Sequence, residues 1–201
     1  MAIPGRTPRG LPAAVDAAMV ARVEQVIPQV VQVWNGHGGF GAGILWRPGI
    51  LVTSAHLLTP GAHRATLWTG ETFPVEPMVV DEELDLAVLR LPRPEGLPVA
   101  FRDPATLPVG SLVLAVGHPW GERYAVSMGV FSGWVTARTR GPRGVLRLLR
   151  TDARLAPGNS GGPLLDAEGH VVGVCTMVVG GDQGMAIPAD LAEALVRRIL
   201  L

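Results

Sequence analysis

The sequence predicts an all-β protein made of two β-rich halves of similar size. Three observations carry that reading. Short runs of β-branched and other apolar residues recur along most of the chain, punctuated by Gly and Pro. A proline-rich connector, holding Pro92, Pro94, Pro98, Pro104 and Pro108, separates an earlier set of runs from a later one. Helical texture is confined to the two ends.

In chain order, residues 1–27 form an N-terminal segment. Within it Ala13 to Ile27, rich in Ala and Val, reads as a short helix ended by Pro28. The first half, 28–92, holds strand-like runs at Val30–Trp34, Gly43–Trp46, Ile50–Ser54, Arg64–Trp68, Met78–Val80 and Leu84–Leu89. Residues 93–107 are the linker. The second half, 108–188, holds runs at Leu112–Val116, Ala125–Val135, Val145–Arg150, Gly162–Leu165, Val171–Val178 and Met185–Ile187. Brief strands spaced by turn signals favour a sandwich or a barrel over βαβ units. Residues 189–201 read as a C-terminal helix. Asp190 with Glu193 three positions on makes a capping-box pattern, and Leu191, Ala194, Leu195 and Ile199 recur at helical spacing.

Composition bounds the function. A chain of 201 residues, 48% hydrophobic and 17% charged, has enough apolar material for a sizeable core. Its formal net charge is zero, which argues against nucleic acid or an anionic membrane as the main partner, since both select a basic excess. All 17 basic residues are arginine. Cys175 is the single cysteine, so no intrachain disulfide forms, and its apolar run makes it a small buried hydrophobe. No Cys, His and carboxylate set has metal-site spacing, and neither a metal nor a cofactor is expected. The N-terminus lacks a secretory apolar core and no stretch approaches a membrane span, so the chain as it stands reads as soluble and cytoplasmic, without an address.

The most specific chemical signal is Gly158-Asn159-Ser160-Gly161-Gly162-Pro163-Leu164. A serine hydroxyl is a weak nucleophile and needs a base to take its proton. It also needs N–H groups to hold the oxyanion that develops. A tight, glycine-flanked turn can aim the amides of Gly158 and Ser160 at one point. A Gly-rich hairpin that merely turns is the bland alternative. The base candidate is His56, where the apolar strand Leu51-Val52-Thr53 runs into small residues and then the imidazole. His37, His63, His118 and His170 lie in loops and turns and read as non-catalytic. The carboxylate that orients an imidazole has to be buried. Asp85 is the one acid embedded in an apolar strand, and Asp81, Glu82 and Glu83 before it read as a solvated charge cluster. The chain order His, Asp, Ser is that of chymotrypsin.

With these segments assembled, the chain resembles the trypsin-like serine proteases, and most closely the HtrA/Deg branch. The matching stretches are Ile27–Val31, Val52–His56, Asp85–Leu89, Gly117–Gly121, Thr151–Ala153 with Pro157–Leu164, and Met185–Pro188. The resemblance implies a chymotrypsin-like double β-barrel of two six-stranded barrels, with His56 and Asp85 from the first and Ser160 from the second. It implies a serine endopeptidase acting on extended or unfolded polypeptides, in protein quality control or regulated proteolysis. Asn159 stands where digestive relatives carry an Asp that pairs with a freed N-terminus, so no such activation is expected.

By the same resemblance, Leu155 and Ala186 line the specificity pocket, and Thr176, Met177 and Val178 form the edge strand that pairs with substrate. Arg154 lies six residues before Ser160, where relatives carry a small residue. It either points to solvent, or joins the pocket and favours acidic side chains. The turn Arg47-Pro48-Gly49 leaves no room for a long regulatory insertion. The chain ends at Leu201, where the branch continues into a PDZ domain, so peptide sensing of that kind is not expected. The resemblance implies a homotrimer that Ala13–Val26 could serve, although an apolar helix packed on its own barrel reads the same. Two further readings stand beside the peptidase: a catalytically silent peptide-binding or chaperone-like module on the same fold, and an esterase using the same three residues.

Overall fold

Among the residues described by the computed structural model (11–36, 38–93, 99–139, 141–179 and 183–200, without the side chains of 11–12 and 177–179), twelve strands close into two six-stranded antiparallel barrels. Residues 1–10, His37, Pro94, Pro98 and Leu201 lie outside the described residues. The first barrel holds β1 (Val30–Trp34), β2 (Phe40–Arg47), β3 (Ile50–Thr53), β4 (His63–Thr66), β5 (Thr72–Asp81) and β6 (Leu86–Arg90) in the order β1-β2-β3-β6-β5-β4. The second holds β7 (Leu112–Gly117), β8 (Ala125–Arg138), β9 (Val145–Thr151), β10 (Pro163–Asp166), β11 (Val171–Val179) and β12 (Gln183–Pro188) in the order β10-β11-β12-β9-β8-β7. Helix α1 (Leu11–Val26) precedes them and α2 (Ala189–Leu200) comes after.

Side chains alternate across a strand, so a strand buried on one face reads as alternating and one buried on both reads as continuous. That rule explains the apolar runs. Leu51 of β3 and Ala87 and Leu89 of β6 fill the first barrel. Their neighbours Ile50, Val52, Leu86 and Val88 point outward into a second core, where Leu114, Val116, Val174 and Ile187 of the other barrel meet them. The seam between the barrels is therefore as apolar as their interiors. Strand β5 takes no comparable part in the seam and is largely exposed, which is why only Met78–Val80 stood out in sequence.

Two expectations need correction. Asp85 is not inside a strand: β6 starts at Leu86, and Asp85 ends the preceding turn with φ of 55°. Its left-handed backbone is one that Asp tolerates better than most residues. The capping box at Asp190–Glu193 does not form. The helix already includes Ala189, and Glu193 turns inward, with its side chain 8% exposed. It accepts from Trp46 Nε1 at 2.7 Å, Arg47 Nη2 at 2.9 Å and Arg197 Nε at 2.7 Å. An indole N–H buried against apolar neighbours needs an acceptor. Glu193 supplies it and fastens α2 to the first barrel. No described helix is long and apolar enough to cross a membrane.

Burial works against ionisation of Glu193, but the donors from Trp46 and Arg197 and the charges of Arg47 and Arg197 outweigh it and lower its pKa. A depressed carboxylate stabilises above its unfolded pKa and loses that contribution as pH falls through the folded one. Glu193→Gln is expected to cost about 1–3 kcal/mol in urea unfolding at neutral pH. The two proteins should converge in stability as wild type is acidified below the ordinary carboxylate range.

Candidate active site

Strand pairing brings the three residues together. β3 runs antiparallel to β6 with Thr53 opposite Ala87, so the residues after β3 lie beside those before β6. The former make a 3-10 turn over Ala55–Leu57 carrying His56, and the latter end in Asp85. The Ala55 N–H donates to the Asp85 carbonyl at 3.2 Å. In the second barrel Pro163 of β10 pairs with Val174 of β11, which sets the loop holding Ser160 against Thr176. One backbone bond then crosses the seam from Ala42 N–H to the Ser160 carbonyl, at 2.8 Å.

The Asp85 carboxylate is the hub. Its Oδ1 accepts from the His56 backbone N–H at 2.9 Å, both oxygens lie 2.9 Å from His56 Nδ1, and Oδ2 accepts from the Thr176 hydroxyl. Burial raises the Asp85 pKa, but the His56 and Thr176 hydrogen bonds reverse it and the carboxyl titrates below its usual value. An ionised carboxylate only accepts, so Nδ1 carries the ring proton and Nε2 presents its lone pair. The side chain of His56 is 48% exposed and faces a cavity of about 380 Å3 lined also by Phe40, Leu57, Leu155, Gly158, Ser160 and Thr176. The Asp85 hydrogen bond raises the His56 pKa above 6.5 against the opposing effect of burial. Ser160 Oγ donates to the Thr176 carbonyl at 2.8 Å, and no hydrogen bond joins it to His56 among the described residues.

The loop before Ser160 is set by its carbonyls. The Pro157 carbonyl accepts from Trp120 N–H at 3.1 Å, and the Asn159 carbonyl accepts from Gly162 N–H at 2.9 Å. A trans peptide aims its C=O and N–H in opposite directions. The N–H groups of Gly158 and Ser160 therefore point away from those partners, and neither has an acceptor among the described residues. Gly158 has φ of 106°, and a Cβ there would sit 2.2 Å from the His118 carbonyl, so only glycine fits.

The other residues singled out in sequence are divided between cavity, core and surface. Leu155 lines the cavity and packs on Gly184. Ala186 does not: it is fully buried in the second barrel with Phe131, Leu149 and Cys175, because at that point of β12 its Cβ turns to the interior. Arg154 is exposed, lies outside the cavity lining and makes no hydrogen bond or ion pair among the described residues. Thr176 belongs to β11 as expected, but its side chain serves Asp85 and its carbonyl serves Ser160. Met177 and Val178 have strand backbone, and their side chains lie outside the description. Cys175 is a buried core residue whose thiol pKa is pushed up to about 12 by burial.

Three groupings escaped the sequence reading. His118 is fully buried under the Gly158 loop, donating its N–H to the Gly158 carbonyl at 3.0 Å. Burial drives its pKa down to about 4, and Nδ1 accepts from the Tyr124 N–H at 3.3 Å. Only its place in a Gly-His-Pro turn hinted at this. Asp166, Glu168 and His170 gather their donor atoms within 4.8 Å, the sort of cluster that spacing alone had not flagged. Asp166 is already engaged there by the N–H groups of Glu168 and His170 and by Arg102 at 3.5 Å. Of the acids before Asp85, Asp81 and Glu83 are not free in solvent but ion-paired to Arg143, whereas Glu82 is exposed.

The Asp85–His56 pair makes a direct test. In an NMR titration the His56 ring should titrate above 6.5 in wild type. In Asp85→Asn it should fall below that value, because burial remains while the partner charge is gone. An unchanged titration would contradict the pairing.

Residues 41–174 match the trypsin-like peptidase domain family. Curated relatives include the HhoA protein of Synechocystis sp., 39% identical over 166 residues, covering 78% of this chain and 42% of the relative. They also include Protease Do-like 1, chloroplastic, of Arabidopsis thaliana, 33% identical over 174 residues (81% and 39%). A third is Serine protease Do-like HtrB of Bacillus subtilis, 34% identical over 162 residues (75% and 35%). The chain thus spans about two fifths of the length of these relatives. With the double barrel in place and the family match running across more than half of the sequence, the chain belongs to the trypsin-like peptidases.

Proposed function

We propose that this chain is a serine endopeptidase that cleaves extended or unfolded polypeptides through an acyl-enzyme intermediate. The observation that carries the reading is the ionised Asp85 holding His56 in the tautomer that bares Nε2, beside a serine whose loop offers two unengaged N–H groups. In this reading the Ser160 hydroxyl swings from the Thr176 carbonyl toward His56 Nε2. His56 takes the proton as Oγ attacks the scissile carbonyl, and the Gly158 and Ser160 amides receive the oxyanion. His56 then protonates the leaving amine, and water repeats the sequence to release the acid and restore Ser160.

Beyond Val174, no strand among the described residues pairs with β11 on its β10 side, and that edge over Thr176, Met177 and Val178 supports an extended substrate, since backbone pairing there makes little demand on sequence. Leu155 favours a small aliphatic residue at the scissile position. Such a preference fits protein quality control or regulated proteolysis. A homotrimer draws support from α1, where Ala13, Ala14, Val15, Ala17, Ala18, Val20 and Ala21 are exposed. Light scattering should give three times the monomer mass if α1 mediates assembly, and the monomer mass after Val15→Glu and Val20→Glu together.

A fluorophosphonate should label wild type at Ser160 and not Ser160→Ala. Casein cleavage should fall by roughly 10⁴–10⁶ in that variant. A wild type that neither labels nor cuts unfolded casein, yet binds it, would favour the silent peptide-binding module. Rapid ester turnover without peptide turnover would favour an esterase.

A further inference from the structure

The turn that carries Asp85 is gripped from the opposite barrel. Arg143, at the tip of the β8–β9 hairpin, reaches Asp81 with both terminal nitrogens, at 3.2 and 2.8 Å, and Glu83 Oε2 at 3.0 Å. Its backbone N–H and the Thr139 hydroxyl both donate to Glu83 Oε1, at 2.7 and 2.6 Å. A Cβ on Gly141 would lie 2.5 Å from the Glu83 carboxylate, so a larger residue there would push the acid from its present position. Asp81 in turn closes the turn internally, its Oδ1 accepting the Leu84 N–H at 3.0 Å. The next residue is Asp85, in its left-handed conformation.

An isolated surface ion pair contributes little, because it is screened and costs side-chain entropy. This one differs in geometry. The Asp81 and Glu83 side chains are 13% and 11% exposed, one guanidinium bridges both, and two further donors fix Glu83. Networks of that kind specify position more than they add stability. The charged groups around Asp85 are His56 within hydrogen-bond reach, Asp81, Glu82 and Glu83 on its own turn, and Arg138 and Arg143 on the facing hairpin. A cavity of about 450 Å3 between turn and hairpin borders Asp85 on a side away from Ser160. Apart from the contacts to Asp81 and Glu83, nothing polar from the hairpin is hydrogen-bonded to this turn among the described residues, and without the guanidinium only the Thr139 hydroxyl and the residue-143 N–H on Glu83 Oε1 remain.

We infer that Arg143, with Glu83 as its relay, is a positioning residue that holds the Asp85 carboxylate in register with His56 from across the barrel seam. The inference rests on the peptidase reading for its kinetic consequence but not for its structural one. A small displacement of an orienting group is costly, up to roughly 10²-fold for about 1 Å.

Arg143→Ala is expected to lower kcat/KM on a peptide substrate about tenfold, with KM nearly unchanged. The acid limb of its pH profile should move down, because Asp85 then supports the imidazolium less well. Arg143→Lys should recover part of the loss, and Glu83→Gln should reproduce it without adding to Arg143→Ala in the double variant. Rising salt should depress wild-type activity more than that of Arg143→Ala. In a Ser160→Ala background, the NMR titration of His56 should shift down on Arg143→Ala. An unchanged acid limb and an unchanged His56 titration, whatever the loss of stability, would reduce Arg143 to a structural tie. An inactive, unlabelled wild type would overturn the peptidase reading instead, and the His56 titration would still decide the clamp.

Discussion

The rest of the structure is arranged around a single ionised carboxylate. Asp85 is partly removed from water, where a charge without partners would be costly, and it draws three kinds of donor to itself: a backbone N–H, an imidazole Nδ1–H and a threonine hydroxyl. Two of these come from His56 in its own barrel and the third from Thr176 in the other. The same carboxylate therefore fixes a tautomer, a ring orientation and a contact across the seam. Its left-handed backbone leaves it little freedom to compensate if the turn shifts.

The loop opposite obeys a different logic. No charge holds Gly158 and Ser160; their N–H groups are aimed by where the neighbouring carbonyls are tied. Trp120 N–H ties the Pro157 carbonyl and Gly162 N–H ties the Asn159 carbonyl, while His118 N–H holds the Gly158 carbonyl and Gln32 of the first barrel donates to the Gly121 carbonyl at 3.2 Å. Trp120 is itself left-handed, with φ of 55°. His118 contributes by staying neutral: a protonated ring could no longer accept the Tyr124 N–H, and burial prevents that protonation across the neutral range. The donors used for those ties belong to Trp120 and Gly162, which leaves the Gly158 and Ser160 N–H groups unengaged among the described residues.

How much of this was legible in the sequence depends on the range of each interaction. The strands stood out because the seam buries both faces of β3 and β6, turning alternation into unbroken apolar runs. Ser160, His56 and Asp85 stood out because glycine spacing and an acid among hydrophobes are local signals. What stayed hidden was long-range pairing. Asp81 and Glu83 look solvated to any local reading, since Arg143 lies 60 residues beyond Glu83. Glu193 looked like a cap because its partner Trp46 is 147 residues away. The resemblance implies Ala186 in the pocket, whereas the direction of its Cβ puts it in the barrel core.

The seam itself divides its labour. Leu86, Val88, Val116 and Ile187 supply apolar burial, worth roughly 1.5–3 kcal/mol for each large side chain, but such contact is non-directional and tolerates sliding. Registration has to come from groups with fixed angles: Ala42 N–H on the Ser160 carbonyl, Thr176 on Asp85, Arg123 on the Leu67 and Trp68 carbonyls, and Arg143 on Asp81 and Glu83. These ties lie at the edges where residues of the two barrels must meet within a hydrogen bond, not in the middle of the apolar contact. A split site makes that arrangement necessary, because the distance between His56 and Ser160 is set by no covalent geometry and only by how the two barrels are held. The hydrophobic core keeps the halves together, and the directional ties decide where they stop.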